Sequence, residues 1–197
     1  MPFHFIKIAA LIVLIGLCGC QSGQRADEAP KHVRPAPTSK KPFDIQTRNN
    51  AMTLLNDLLN EEKNLSKILI IKRESSDLKR LVKDISETAD NGAKMLKLLA
   101  KKDPTIQLAT LGLPPGEVAA RQAISKTKQH LLLHTKGAEF EFQLLLTQTE
   151  ALSYGADLAM VAAAHEPQPE RAQQFSQLSD QLKQLEERVL TRLRPKA

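Results

Sequence analysis

Two histidines at helical spacing are the residues of this sequence best suited to bind a metal ion. His130 and His134 stand four residues apart, so on a helix their rings lie on one face, close enough to share a zinc or copper ion. No glutamate stands between them as in a zinc-protease motif, and Glu139 follows the break that Gly137 predicts. The favoured interpretation is a pair of surface or partly buried structural histidines, and a metal site is the alternative.

Glu62 is the acid with the most unusual position, because it falls on an apolar row between Leu58 and Leu65. A carboxylate that faces a core needs a cation, a hydrogen-bonding partner or a metal. The favoured interpretation places Glu62 at the edge of the row, where it reaches water or a lysine. The alternative is a core position, in which Glu62 joins His130 and His134 as a weak metal candidate.

The sequence contains no recognisable catalytic constellation. Ser, His and Asp occur in no pattern typical of a nucleophile elbow, and no Gly-rich phosphate loop is present. We therefore predict no catalytic residues, no bound metal and a non-enzymatic protein.

The first twenty residues have the pattern of a secretory signal peptide. His4 and Lys7 precede an apolar run from Ile8 to Leu17, and Gly19 comes before Cys20. A run of about ten residues is shorter than the roughly twenty that a helix needs to cross a bilayer. The pattern predicts a segment that is removed, with residues 1–19 as the signal peptide.

Leu17, Gly19 and Cys20 resemble the lipobox of bacterial lipoproteins, in which a leucine and a small residue precede an obligatory cysteine. Cys18 departs slightly from the usual residue at its position. The resemblance implies cleavage between Gly19 and Cys20, diacylglycerol on the Cys20 sulfur and a further acyl chain, such as palmitate, on its amine. We predict no cofactor besides these lipids, which together give stable membrane anchoring. An ordinary secretory peptide, cut elsewhere to leave a soluble protein, is the alternative.

The location of the anchored protein follows from the residue after the cysteine. Gln21 stands there in place of aspartate, and this implies the outer membrane, with the protein facing the periplasm. The inner membrane and the cell surface are the alternatives. The predicted partners are the membrane, through the lipid, and an unknown envelope protein.

Residues 20–43 have the composition of a disordered tether, with Pro30, Pro35, Pro37 and Pro42 and almost nothing apolar. The tether would reach about 75 Å when fully extended and about 27 Å as a flexible coil. Much of the net charge of +6 lies in the leader and this tether. With no Trp and a single Tyr there is no stacking platform for single strands, so we predict no nucleic-acid partner.

Residues 44–197 are expected to form one helical domain, because apolar rows recur at three- and four-residue spacing. The predicted helices run over about 49–72, 76–101, a connecting helix from about 117, a helix from the break at Gly137 to before Pro167, and 169–192. The predicted class is all-α, an antiparallel four-helix bundle with an additional short connecting helix. The residues predicted to face inward are Ala51, Leu55, Leu58, Leu65, Leu69, Leu78, Leu81, Ile85, Met95, Leu98, Leu99, Phe140, Leu144, Leu145, Tyr154, Leu158, Val161, Phe175, Leu178, Leu182, Leu185, Val189 and Leu193. The heptads are too short to predict a coiled-coil dimer, and the oligomeric state stays open.

The order of these motifs resembles a ferritin-like family of bacterial envelope proteins of unknown function, known as predicted outer-membrane proteins. The first hairpin carries the matching pattern Glu62, Leu65, Ile68, Lys72, Ser75, Ser76, Leu78 and Leu81, and a later helix carries Gly137, Phe140 and Glu141. The resemblance spans roughly residues 50–190 and implies a ferritin-like bundle.

This chain departs from that family at the residues that would bind metal. Ala89 and Leu152 stand where histidines are expected, and no Glu-x-x-His motif occurs. Our leading hypothesis is a lipid-anchored envelope protein whose bundle is a structural or binding module. The alternative is a degenerate ferritin-like protein that binds metal through His130, His134 and Glu62.

Overall fold

The computed structural model describes residues 43–70, 72, 74–109 and 115–194, and the regular structure within these ranges is entirely helical. The elements are α1 (Ile45–Glu62), a 3₁₀ helix (Leu65–Ile70), α2 (Ser76–Lys102), α3 (Pro115–His134), α4 (Gly137–Ala164) and α5 (Pro169–Leu193). The all-α prediction is confirmed. The predicted signal peptide, Cys20 and the tether lie outside the described residues. Among the helices that are described, none is long and apolar enough to span a membrane.

The first predicted helix is in fact two elements, so its predicted end at Lys72 is wrong. α1 ends at Glu62, and the chain turns into the 3₁₀ helix. The Asn64 side chain donates a hydrogen bond to the Asn60 carbonyl (2.9 Å), the acceptor that a continuing α-helix would offer to the Asn64 backbone N–H. That N–H bonds instead to the Glu61 carbonyl (3.0 Å), three residues back. At Asn64 the backbone bonding thus changes from four residues back to three residues back, and the 3₁₀ helix follows.

α2 begins and ends close to the predicted positions. Ser75 is its N-cap and accepts a hydrogen bond from the backbone N–H of Leu78 (3.3 Å), and Asp103 is its C-cap. The prediction that Leu98 faces inward is wrong, since this side chain is 57% exposed. Leu96 is fully buried, and a residue two positions later lies about 200° around the helix. Where leucines occupy neighbouring positions in a helix, they cannot all lie on its single buried face, and some of them are exposed to solvent.

α3 is longer than the short connecting helix that we predicted, with 20 residues. It lies along α4, where Arg121 Nη1 donates a hydrogen bond to the Tyr154 hydroxyl (3.1 Å) and Lys128 pairs with Glu150. Leu132 is its buried apolar residue. α3 is therefore held to α4 by polar contacts as well as by apolar packing.

The predicted break at Gly137 is confirmed. Gly137 has a φ of 57°, a left-handed conformation that strains residues with a Cβ. Lys72 secures the same turn, because its ammonium donates hydrogen bonds to the carbonyls of Leu133 (3.1 Å) and Thr135 (2.6 Å). These bonds satisfy carbonyls at the end of α3, which closes at His134.

The apolar core is drawn mainly from α1, α2, α4, α5 and the 3₁₀ helix, and it includes Leu132 of α3 and Ile106, which follows α2. Most residues predicted to face inward are buried: Ala51, Leu55, Leu58, Leu65, Leu69, Leu78, Leu81, Ile85, Phe140, Leu144, Leu145, Leu158, Phe175, Leu178, Leu182, Leu185 and Val189. Met95, Leu99, Tyr154 and Leu193 are partly buried against this core. Val161 is an error of the prediction, since it is 39% exposed.

Two glycines allow the helices to approach closely. A Cβ on Gly92 of α2 would lie 2.9 Å from Leu59 Cδ1 and 3.2 Å from Leu178 Cδ1. A Cβ on Gly155 of α4 would lie 2.9 Å from Leu58 Cδ2. Side chains from neighbouring helices thus fill the space that any larger residue would need.

Candidate functional site

Glu62 is a titratable group that the fold buries in its core. It is the last residue of α1 and is 4% exposed. It follows Leu55 and Leu58 along the buried face of the helix, at the three- and four-residue spacing that keeps side chains on one side. The expectation that Glu62 lies at the edge of the row and reaches water or a lysine is therefore wrong.

Gln148 of α4 is the polar neighbour of Glu62 inside the core. It is 1% exposed, and its amide lies close enough to lower the pKa of the Glu62 carboxyl group. Neither side chain meets hydrogen-bond geometry with any described residue, so both carboxyl oxygens of Glu62 and both amide atoms of Gln148 are unsatisfied. Native cores leave few such atoms unpaired, so four on two neighbouring side chains define the candidate site.

Burial determines the protonation state of this site. Removal from water raises the pKa of Glu62 to about 8; the Gln148 amide opposes the rise and the nearby Glu61 carboxylate adds to it. The group is therefore a neutral carboxylic acid at pH 7. In that state its hydroxyl can donate a hydrogen bond to the Gln148 amide oxygen, which an ionised carboxylate cannot do.

The backbone beside Glu62 is fixed by a second buried polar residue. Ser86 of α2 donates a hydrogen bond to the Glu62 carbonyl (3.3 Å) and accepts one from the backbone N–H of Ser66 (3.0 Å). The end of α1, the 3₁₀ helix and α2 are thus joined at one hydroxyl. This joint holds Glu62 at the level of the core where it meets Gln148.

The histidine pair lies elsewhere, on the surface of α3. The rings of His130 and His134 are stacked with centroids 3.9 Å apart, and both residues are exposed. His134 Nδ1 lies 2.7 Å from the His130 carbonyl oxygen, a contact that fixes one ring. Glu62 is buried among other helices and does not join them, and no group of three or more His, Cys, Asp or Glu residues suited to a metal occurs among the described residues.

The two positions at which a ferritin-like family would carry histidines are apolar in the fold as well as in the sequence. Ala89 is 1% exposed and Leu152 is 2% exposed, and both belong to the core. A di-iron site uses inward Glu and His side chains from several helices. In the described core the polar neighbour of Glu62 is the Gln148 amide, and no group of three or more metal-ligating side chains occurs, so the residues do not fit such a site.

A cluster of four charged residues at the opposite end of α1 escaped the sequence analysis. Arg48 Nη1 lies 3.4 Å from Glu166 Oε2, and Arg171 Nη2 lies 2.9 Å from Glu166 Oε1. Arg171 Nη1 lies 2.6 Å from Asp103 Oδ2. Arg48 and Glu166 are buried to 1% and 3% exposure. Hydrogen bonds from Thr105 and Arg171 hold the pKa of Asp103 well below its usual range.

This cluster joins four elements at one end of the fold. Arg48 is near the start of α1, Asp103 follows α2, Glu166 follows α4 and Arg171 is in the first turn of α5. Arg48 also donates hydrogen bonds to the Thr105 carbonyl (3.0 Å) and hydroxyl (3.1 Å). The arrangement is suited to fixing helix ends, because each charged side chain of the cluster lies beside an opposite charge. The buried Nε of Arg171 has no hydrogen-bond partner among the described residues.

One sequence signal could have revealed part of this cluster. Arg48 stands on the same row as Ala51, Leu55, Leu58 and Glu62, so charged residues mark both ends of the buried row of α1. Its partners are far away in the sequence and lie near helix ends, where apolar periodicity gives no information.

No protein-family model, curated protein or solved structure matches this chain.

Proposed function

We propose that this chain is a lipid-anchored protein of the bacterial envelope whose helical domain binds another envelope protein. The lipid anchor rests on the lipobox-like sequence Leu17, Gly19 and Cys20, and the tether allows the domain to work away from the bilayer. The preferred location is the periplasmic side of the outer membrane.

The finer fold that we propose is a ferritin-like, antiparallel four-helix bundle made of α1, α2, α4 and α5. The charged cluster supports it, because Arg48 and Arg171 lie near the starts of α1 and α5, and Asp103 and Glu166 lie just after the ends of α2 and α4. α1 and α5 then begin where α2 and α4 end. α3 is the long crossover between the two hairpins, as in ferritin-like folds.

The observation that carries the binding role is a set of exposed apolar side chains before and after the turn between α3 and α4. Leu131 and Leu133, in the last turn of α3, are 38% and 44% exposed. Phe142 and Leu146, on one face of the first turns of α4, are 50% and 41% exposed. Leu131 and Leu133 are two residues apart and so lie on different sides of α3, whereas Phe142 and Leu146 are four apart and share one face of α4. An exposed aromatic and aliphatic pair on one helix face is typical of protein–protein contact sites.

Site-specific crosslinking in cells tests this binding role. A photoreactive phenylalanine analogue at Phe142 should yield one dominant crosslinked protein, and the same analogue at exposed Gln184 of α5 should not. Replacing Leu131 and Leu146 with serine should weaken the adduct at Phe142. Equal adducts at positions 142 and 184, or an adduct at 142 that the serine variant leaves unchanged, would refute a specific contact.

Mass spectrometry of the mature N-terminus tests the anchor. The native protein should begin at Cys20 and carry three acyl chains, and Cys20→Ser should abolish lipidation and cleavage at this site. An unacylated native product, cut elsewhere, would refute the anchor.

A further inference from the structure

The exposed face at the end of α2 differs from the rest of that helix in charge. Residues 91–102 include Lys94, Lys97, Lys101 and Lys102 and no carboxylate, whereas residues 76–90 carry three basic and four acidic residues. All four lysines are exposed. We call Lys94, Lys97, Leu98, Lys101 and Lys102 the lysine face.

Leu98 lies in the middle of this face. It is 57% exposed, and its lysine neighbours stand one and four residues before it and three and four residues after it, spacings that place them around it on the helix surface. Lysine stems can lie along an apolar surface while their ammonium groups stay in water. An exposed leucine ringed by lysines therefore suits a boundary between an apolar layer and anionic head groups.

The helix dipole does not account for the lysine face. Cations complement the dipole in the last turn of a helix, where Lys101 and Lys102 stand. Lys94 and Lys97 are one to two turns earlier, where that effect has faded. Intramolecular pairing is also sparse: Lys94 pairs with Asp90 (2.6 Å), and Lys97 lies 3.4 Å from the Asn60 side-chain oxygen.

Lys101 and Lys102, the last residues of the lysine face, are at the end of the domain where the tether joins. The face extends from there along α2, and Lys97 reaches Asn60 near the end of α1. Asn49 of α1 donates a hydrogen bond to the Thr105 carbonyl (2.9 Å), so the start of α1 lies beside the end of α2. Phe43 and Ile45, at the start of the described chain, are 60% and 53% exposed. Exposed apolar side chains and lysines thus share the end of the domain that is closest to the proposed anchor.

We propose that the lysine face binds the anionic phospholipid surface of the membrane to which the tether is anchored. The proposal rests on the lipid anchor proposed above, because the anchor brings this end of the domain to the bilayer. Positive charge on the face complements the phosphate groups, and Leu98 enters the boundary between head groups and acyl chains. The domain would then lie with one end on the membrane while the turn between α3 and α4 stays available to a protein.

The test measures vesicle binding by the chain from residue 20 onward with Cys20→Ser, so that neither leader nor lipid contributes. We expect binding to vesicles of phosphatidylglycerol and phosphatidylcholine, weak binding to phosphatidylcholine alone, and loss of binding as salt rises. Lys97→Gln with Lys101→Gln should weaken binding about 25-fold, about fivefold per lysine. Leu98→Ser should weaken it several-fold more.

The matched control is Lys79→Gln with Lys83→Gln, the same change of charge on the exposed, mixed-charge half of α2. It should leave vesicle binding within about twofold of the unsubstituted chain. Equal losses in both double variants, or no anionic-lipid binding by the unsubstituted chain, would overturn the proposal. Binding to polyglutamate but not to vesicles would assign the face to an acidic protein and also overturn it. The proposed lipid anchor is tested independently of the lysine face, and it is refuted if mass spectrometry finds no lipid on Cys20 of the native protein.

Discussion

Glu62→Gln should make the protein less sensitive to pH, because it removes a carboxyl group that the fold keeps neutral. The pKa of Glu62 rises from 4.5 to about 8 on folding. Between these values the folded protein holds a proton that the unfolded chain releases, so the free energy of unfolding falls as pH rises. The stability that the proton contributes is complete below pH 4.5 and is lost as pH rises through the folded pKa.

The magnitude follows from the size of the shift. Each pH unit between the two pKa values costs about 1.4 kcal/mol of stability. From about pH 5 to about pH 7.5 the loss should therefore reach about 3 kcal/mol. Glutamine has no proton to lose and retains a donor and an acceptor toward Gln148. The two proteins should be similar in stability at the acidic end, and the variant should be more stable at the alkaline end.

Urea denaturation followed by circular dichroism across this pH range gives the measurement, and the difference between the two proteins isolates Glu62 from all other titrating groups. Glu87→Gln is the matched control, since the Glu87 side chain is 62% exposed on α2 and its removal should leave the pH profile unchanged. Profiles for the native protein and Glu62→Gln that stay parallel within about 0.5 kcal/mol would mean that Glu62 is ionised or solvated in the folded state, and would refute the reasoning.

Three further changes test the packing and the charged cluster. Gly92→Ala should lower the free energy of unfolding by about 1–3 kcal/mol, because its Cβ would meet leucine side chains at 2.9 and 3.2 Å. Gly116 has open space around it, so Gly116→Ala should not lower the stability. Equal losses in the two variants would contradict the close approach at Gly92. Glu166→Gln should lower the free energy of unfolding, measured by urea denaturation, by about 3–5 kcal/mol, because it leaves buried Arg48 without its opposite charge. The control is Glu187→Gln, which removes an exposed ion pair and should lower the stability by under about 1 kcal/mol. The pKa of Asp103 is lower in the folded protein than in the unfolded chain, so its ion pair stabilises the fold above the unfolded pKa and that stabilisation is lost as pH falls. Asp103→Asn should therefore flatten the decrease in the free energy of unfolding at acidic pH. An unchanged decrease would show that the ion pair does not contribute to stability.

The sequence alone predicted the helices and most of their inward faces. Periodic leucines, a serine N-cap at position 75, the stop at Asp103 and the glycine break at position 137 are local signals, and each acts within one or two turns of the chain. The errors came where a local signal was ambiguous. A leucine run such as the one around Leu98 covers more than one face, and the apolar row of the first predicted helix continues past the end of α1 at Glu62.

The tertiary structure decided the state of Glu62 and the existence of the charged cluster. The sequence around Glu62 is compatible with a core position or an edge position, and only packing against other helices excludes water from the side chain. Arg48 and Glu166 are 118 residues apart, so nothing local could pair them. Sequence fixes which face a residue shares with its neighbours on one helix, because that depends on backbone geometry; burial and long-range pairing depend on which other helices arrive there.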